Sequence, residues 1–230
     1  VDTVTSLGGC PVEVDRWGID ASYSGTQKCL SCPPGLSPVT FSRRAMEKVA
    51  SRRTPVRTWY FDLGLIGAYL GGERVYHHTA PVSMVLALRE ALRIVLEEGL
   101  EARFERHRRN AAALRAGLEA LGLEVVTPEG FRLDQITPVW IPDGIDDLEV
   151  RQHLLRDHHI EIGRGLGEFA GKAWRIGLMG DSSKPEHVFA LLAALESILP
   201  RVGFEVAYGA GVASASRSLA TGLGARHPTG

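Results

Sequence analysis

Three cysteines, Cys10, Cys29 and Cys32, are all that 230 residues contain. So small and odd a number excludes a disulfide framework and fits a reducing compartment. No apolar run reaches the roughly 18 residues that a membrane helix requires, and no charged-then-apolar segment opens the chain. A cytoplasmic location is expected, with organelle targeting left open. An excess of charge is missing too. The 26 Lys and Arg against 27 Asp and Glu leave a formal net charge of -1, which removes the electrostatic reason to expect nucleic acid or a membrane surface as partner. Small polar substrates remain. No internal repeat occurs, and there is no initiator methionine: the chain opens at Val1 with VDTVTSLGG, which reads like a strand running into a loop in the middle of a fold. A longer protein, lacking its N-terminal part here, is the expectation.

What is present divides by pattern. Short strands punctuated by Gly and Pro are expected at Val1 to Ser6, Ile19 to Tyr23 and Leu36 to Phe41. Ser42 is a candidate N-cap for a short charged helix, SRRAMEKVASRR, and 54–72 reads as loop with a helical turn. From Pro81, PVSMVLALREALRIVLEEG carries apolar residues at helical spacing and is the strongest helix of the chain. It continues, with a bend near Gly99, into LEARFERHRRNAAALRAGLEALG. Beyond Gly122 the order strand (LEVVT), strand (ITPVWIP), helix (LEVRQHLLRDHH), strand (AWRIGLMG), helix (PEHVFALLAALESIL) predicts a compact α+β domain with helices on one face of a small sheet. After Gly203 the chain is rich in Gly, Ala and Ser, with few large apolar residues, and is expected to be disordered.

One lysine has unusual neighbours. In SYSGTQKCLSCPPG, Lys28 follows a buried-looking strand and precedes a Pro-Pro-Gly turn. A lysine is ordinarily a solvated surface charge; one fixed at a strand's end on an immobile loop suits a functional amine. Such an amine attacks an aldehyde to form a Schiff base, provided its surroundings leave some of it neutral near pH 7.

The segments DTVTSLGG, WGIDASYSGTQKCLSCPPG, VYHHTAPVSMVLALREAL and WRIGLMG, in this order, resemble the class V aminotransferases, in particular the serine–pyruvate/alanine–glyoxylate aminotransferase family. The resemblance runs from Val1 to about Leu199. It implies an α/β fold of the fold type I architecture and pyridoxal 5'-phosphate as cofactor. On it, 1–98 is the C-terminal part of the large cofactor-binding domain with the start of the interdomain helix, 99–202 a small C-terminal α+β domain, and 203–230 the disordered tail. Lys28 becomes the Schiff-base lysine. Asp2 matches the acid that pairs with the pyridine nitrogen and keeps it protonated, so that the ring can accept electrons when the substrate Cα proton departs. Val4, two residues along an expected strand and so on the same face, matches an apolar residue packing on the ring, and Gln27 a polar residue near the phosphate. Tyr76 and Thr79 match a pair that reaches the phosphate from the neighbouring subunit, close to the start of a helix whose dipole favours an anion; a homodimer with shared active sites follows. Arg175 matches the substrate-carboxylate arginine, a role its forked donors suit. The reaction implied is ping-pong transamination of alanine or serine with glyoxylate or pyruvate.

Other readings stay open. A 2-aminoethylphosphonate-type transaminase, another class V enzyme or a catalytically incompetent fragment fits the same motifs, because the phosphate-binding turn and ring-stacking aromatic of the family would lie upstream of Asp2. On the last reading the chain alone binds cofactor weakly and does not transaminate. A desulfurase is disfavoured because Cys29 and Cys32 are anchored beside Lys28 rather than on a separate mobile loop. The same Cys-x-x-Cys could be a redox pair or half a zinc site, but Pro33, Pro34 and Gly35 follow where a redox pair would open a helix, and a second ligand pair is missing. His77 and His78, being adjacent, are expected to point apart, and no metal is assigned.

Overall fold

The structure is a computed structural model that describes residues 1–71 and 75–224. Two compact units are present, one of Val1–Leu7 with Val12–Ile94 and one of Gly8–Pro11 with the chain from Val95 onward. Among the described residues no helix is long and apolar enough to cross a membrane.

In the first unit, β1 (Ala21–Tyr23) and β2 (Val39–Phe41) form an antiparallel ribbon with Ser22 opposite Thr40. Both strands are shorter than expected. Pro38, which has no N–H to give a ladder, stands just before β2. Val1 to Ser6 is not a strand: Asp2 alone pairs, in a parallel bridge with Tyr23, and the chain then turns, with Ser6 and Leu7 N–H both donating to Thr3 O. Ser42 caps α1 (Arg43–Ala50) as expected, its hydroxyl accepting from Ala45 N at 3.1 Å and donating to Asp20 Oδ1 at 2.6 Å. Hydrogen bonds from Arg44 and Ser42 pull the Asp20 carboxyl down to about 2. The segment read as loop with a helical turn holds a 3-10 turn at Trp59–Phe61 and a full helix, α2 (Leu63–Leu70). Asp62 starts it by accepting from Gly64 and Leu65 N–H, a capping signal present in the sequence and overlooked among the glycines. Gly72, the end of that reading, lies outside the described residues. α3 (Val82–Glu98) follows.

The break at Gly99 is real. Its φ of +80° ends α3 and begins α4 (Leu100–Ala120). The second unit contains a three-stranded antiparallel sheet in the order β3-β5-β4, with β3 Ile136–Trp140, β4 Gly163–Arg164 and β5 Ala173–Gly177. LEVVT contributes a single bridge, Val125 to Val139, rather than a strand. β4 was not expected: a glycine and an arginine followed by a second glycine carry no alternation to read. Val139 pairs with Trp174, and Thr137 with Ile176. Their buried face meets Leu114 and Leu118 of α4, Val150 and Leu154 of α5 (Asp147–His158), and Leu192, Leu195 and Ile198 of α6 (Pro185–Ile198). Each fully buried leucine contributes on the order of 1.5–3 kcal/mol by leaving water. Arg175 lies between Trp174 and Ile176, so the pleat turns it to the opposite face.

The tail expectation needs correction. Ala210–Gly224 is a helix, α7, packed on α4 and α6. Small residues here serve close approach rather than disorder. A Cβ added to Gly117 on α4 would stand 2.3 Å from Leu192 Cδ1 and 3.0 Å from Gly211 O, and one on Gly211 would stand 3.0 Å from Leu121 Cγ. Ala215 is fully buried. Buried Glu196 closes the helix start, its carboxylate accepting from the N–H groups of Gly209, Gly211 and Val212 at 2.8–3.2 Å. Gly117→Ala is therefore expected to destabilise the fold by about 1–3 kcal/mol through overpacking, read as a lower melting temperature; an unchanged melting temperature would contradict this packing. Residues 225–230, the rest of the expected tail, lie outside the described residues.

Candidate active site

Lys28 sits on a turn whose backbone is tied at several points. Cys32 N–H donates to Thr26 O at 3.0 Å and Ser31 N–H to Lys28 O at 2.9 Å. Thr26, fully buried, donates its hydroxyl to Pro33 O at 2.8 Å. Pro33 and Pro34 turn the chain back, and the buried threonine ties the two arms of the loop together. Lys28 itself is half-buried, and among the described residues no carboxylate pairs with it. Gln27 beside it is exposed.

The Asp2 segment lies against this turn. Cys29 Sγ lies 3.2 Å from Thr5 O, and Thr3 N–H donates to Tyr23 O at 2.9 Å. The segment that bears Asp2 and Val4 is therefore adjacent to the turn that bears Lys28. Asp2 Oδ1 accepts from Val4 N–H at 2.8 Å, and Oδ2 from Tyr23 OH at 2.9 Å. Those two bonds, Val4's first, hold the carboxyl below its ordinary value, so it is an anion at neutral pH. Val4 does not share a strand face with Asp2, as the sequence reading assumed; the chain turns there, and Val4 touches the carboxylate through its backbone. Tyr23 was missed. Its pairing with Asp2 could not be read without knowing that these two segments are neighbours.

Tyr76 and Thr79 converge, their hydroxyls 3.1 Å apart, and both are exposed. Between them, His77 and His78 do not point apart: Nδ1 of one lies 2.8 Å from Nδ1 of the other. The expected opposition of adjacent side chains holds for an extended strand, whereas this segment bends at His78. Cys29 and Cys32 are buried on the Lys28 turn, where the Cys29 thiol donates to Thr5 O.

In the second unit Arg175 Nε donates to Arg164 O at 2.8 Å. No carboxylate among the described residues engages the two remaining nitrogens of its fork. Pinned at Nε by an edge-strand carbonyl, the guanidinium can present both Nη groups to a carboxylate. The loop after β5 is held by α4. His107, fully buried, accepts from Gly180 N–H at 2.9 Å and donates to Arg103 O at 2.8 Å, and burial pushes its imidazole pKa down. Arg106 and Asn110 donate to Ser183 O.

The family profile described as Aminotransferase class-V matches residues 1–167. The (S)-ureidoglycine–glyoxylate transaminase of Bacillus subtilis is 44% identical over 219 residues, covering 87% of this chain and 53% of that protein. The crystal structure of the Bacillus subtilis ureidoglycine–glyoxylate aminotransferase superposes with a TM-score of 0.92 at 45% identity, covering 95% of this chain and 56% of that one. An alanine–glyoxylate aminotransferase structure from Nostoc gives a TM-score of 0.85 at 53% identity, covering 86% and 53%. The chain thus spans about half the length of the relatives it matches. Its α/β fold is that part of the fold type I aminotransferase architecture. By sequence and by fold, the chain belongs to the class V aminotransferase family.

Proposed function

We propose that this chain carries the lysine-bearing part of a pyridoxal-phosphate-dependent transaminase that moves the amino group of a small amino acid, alanine or serine, to a 2-oxo acid, with glyoxylate as the foremost acceptor. The observation that carries the reading is that the turn bearing the Lys28 amine packs, through Cys29 and Thr5, on the segment whose Asp2 carboxylate is fixed as an anion. The donor set fits the cofactor, with an amine for its aldehyde, an anionic carboxylate for its ring nitrogen and two converging hydroxyls for its phosphate. Pyridoxal phosphate, when bound, supplies a sink for the electron pair left as a substrate Cα–H bond breaks.

The chain's own groups do the rest. Lys28 Nζ would hold the cofactor through its aldehyde carbon and, when free, would serve as the base for the substrate Cα proton. The Asp2 carboxylate would keep a proton on the ring nitrogen, Val4 would pack on the ring and Gln27 would lie near the phosphate. Tyr76 Oη and Thr79 Oγ1 would donate to phosphate oxygens of the partner's site, so that the working unit would be a homodimer. Arg175 grips the substrate carboxylate through both Nη groups. Glyoxylate in the names of the relatives supports it as the acceptor. A cytoplasmic location belongs to the same proposal and rests on the scarcity of cysteine.

The test is direct. The intact protein, supplied with pyridoxal phosphate, alanine and glyoxylate, should form pyruvate and glycine in equal amounts, with parallel double-reciprocal lines. Failure to form glycine from glyoxylate with alanine, serine or ureidoglycine as donor would overturn the assignment.

A further inference from the structure

His77 and His78 stand between the two hydroxyls assigned to the phosphate and take no part in the proposed reaction. His77 is 2% exposed, yet Tyr76 immediately before it is 74% exposed. So sharp a reversal across one peptide needs an anchor, and three contacts supply it. The His77 ring stacks on the Trp59 indole, centroids 4.1 Å apart and planes 17° from parallel. Its Nε2 lies 3.1 Å from Trp59 O, and its Nδ1 lies 2.8 Å from His78 Nδ1.

These contacts fix the tautomers. A carbonyl can only accept, so His77 Nε2 carries a proton; a neutral His77 then offers a lone pair at Nδ1, and the proton of the His–His bond belongs to His78 Nδ1. Both nitrogens of the buried imidazole are thereby satisfied. The bond also closes the bend at His78, and that bend is what throws Tyr76 and Thr79 outward on the same side with their hydroxyls 3.1 Å apart. Without it, residues three apart in an extended segment would face opposite ways.

We propose that His77 and His78 are positioning residues, their mutual hydrogen bond holding the bend that gathers the Tyr76 and Thr79 hydroxyls into a phosphate grip. The inference rests on the phosphate role proposed above for those hydroxyls. It is distinct from a general packing role, because it predicts an effect on one end of the cofactor only.

The experiment compares the dissociation constants of pyridoxal phosphate and of pyridoxal, which lacks the phosphate, in the intact protein. Tyr76→Phe combined with Thr79→Val should cut the preference for the phosphorylated form by tenfold or more. His78→Ala should cut it to a similar extent and leave pyridoxal binding unchanged. His78→Asn, whose amide N–H can stand close to the place of Nδ1–H, should recover most of the preference. Should His78→Ala fail to fold, His77→Phe keeps the ring on Trp59 while removing both nitrogens, and the same loss is expected. If the hydroxyl variant loses the preference and neither histidine variant does, the positioning role is overturned and the phosphate role stands. If the histidine variants weaken both ligands equally, the pair merely packs, and the proposal fails. If the hydroxyl variant itself keeps the preference, the phosphate role falls, and the positioning role with it.

Discussion

Lys28→Ala in the intact protein is expected to lower the turnover of alanine with glyoxylate by roughly 10³-fold or more, the scale of a lost proton-transfer group, and to abolish the visible absorption of pyridoxal phosphate that survives dialysis. The proposed function puts two roles on one nitrogen, covalent attachment and proton transfer, so its removal should be among the largest single effects. Lys28→Arg separates charge from chemistry. A guanidinium keeps the positive charge but cannot shed a proton near neutral pH, so it should be as inactive as alanine and should also lose the retained absorption. Because the turn is closed by Thr26, Ser31 and Cys32 through backbone and hydroxyl bonds, and not by the lysine side chain, neither variant should change the melting temperature measurably when variant and parent are compared free of cofactor, whose binding would itself stabilise the parent. Parental turnover by Lys28→Ala would place the catalytic amine elsewhere.

That turn was legible in the sequence because its constraints are local: Pro33, Pro34 and Gly35 punctuate the chain within seven residues of Lys28. The same holds for the Ser42 cap and the Gly99 break. The face that Arg175 takes was legible for a related reason, since the alternation of Trp174, Arg175 and Ile176 states which face each occupies once β5 is granted. What could not be read was pairing between distant segments. Tyr23 donates to Asp2 across 21 residues, and nothing in either segment alone announces it. The tail failed for a different cause. Composition argued for disorder because large apolar residues are few there, but helices that approach closely through Gly117, Gly211 and Ala215 need small residues in place of large ones. The histidine pair was misjudged because a rule for extended chain was applied to a bend.

Arg175→Ala should act on substrate and spare cofactor. The group to be lost is a fork whose Nε is committed to Arg164 O, leaving two parallel donors for a carboxylate. Two charge-assisted bonds of this kind contribute about 2–3 kcal/mol when one partner is removed, which is roughly 30- to 150-fold in kcat/KM. Arg175 is half-exposed, and solvent screens such a pair, so the lower end of that range is expected. Arg175→Lys should recover part of the loss: it restores the charge but presents a point donor on a flexible stem, without the bidentate match. The loss should appear with every substrate, because alanine, serine and glyoxylate all carry the carboxylate, and retention of pyridoxal phosphate after dialysis should be unchanged. An equal loss of cofactor would mean that the residue supports the site as a whole. Unchanged kcat/KM for both alanine and glyoxylate in Arg175→Ala would remove Arg175 from the substrate site altogether.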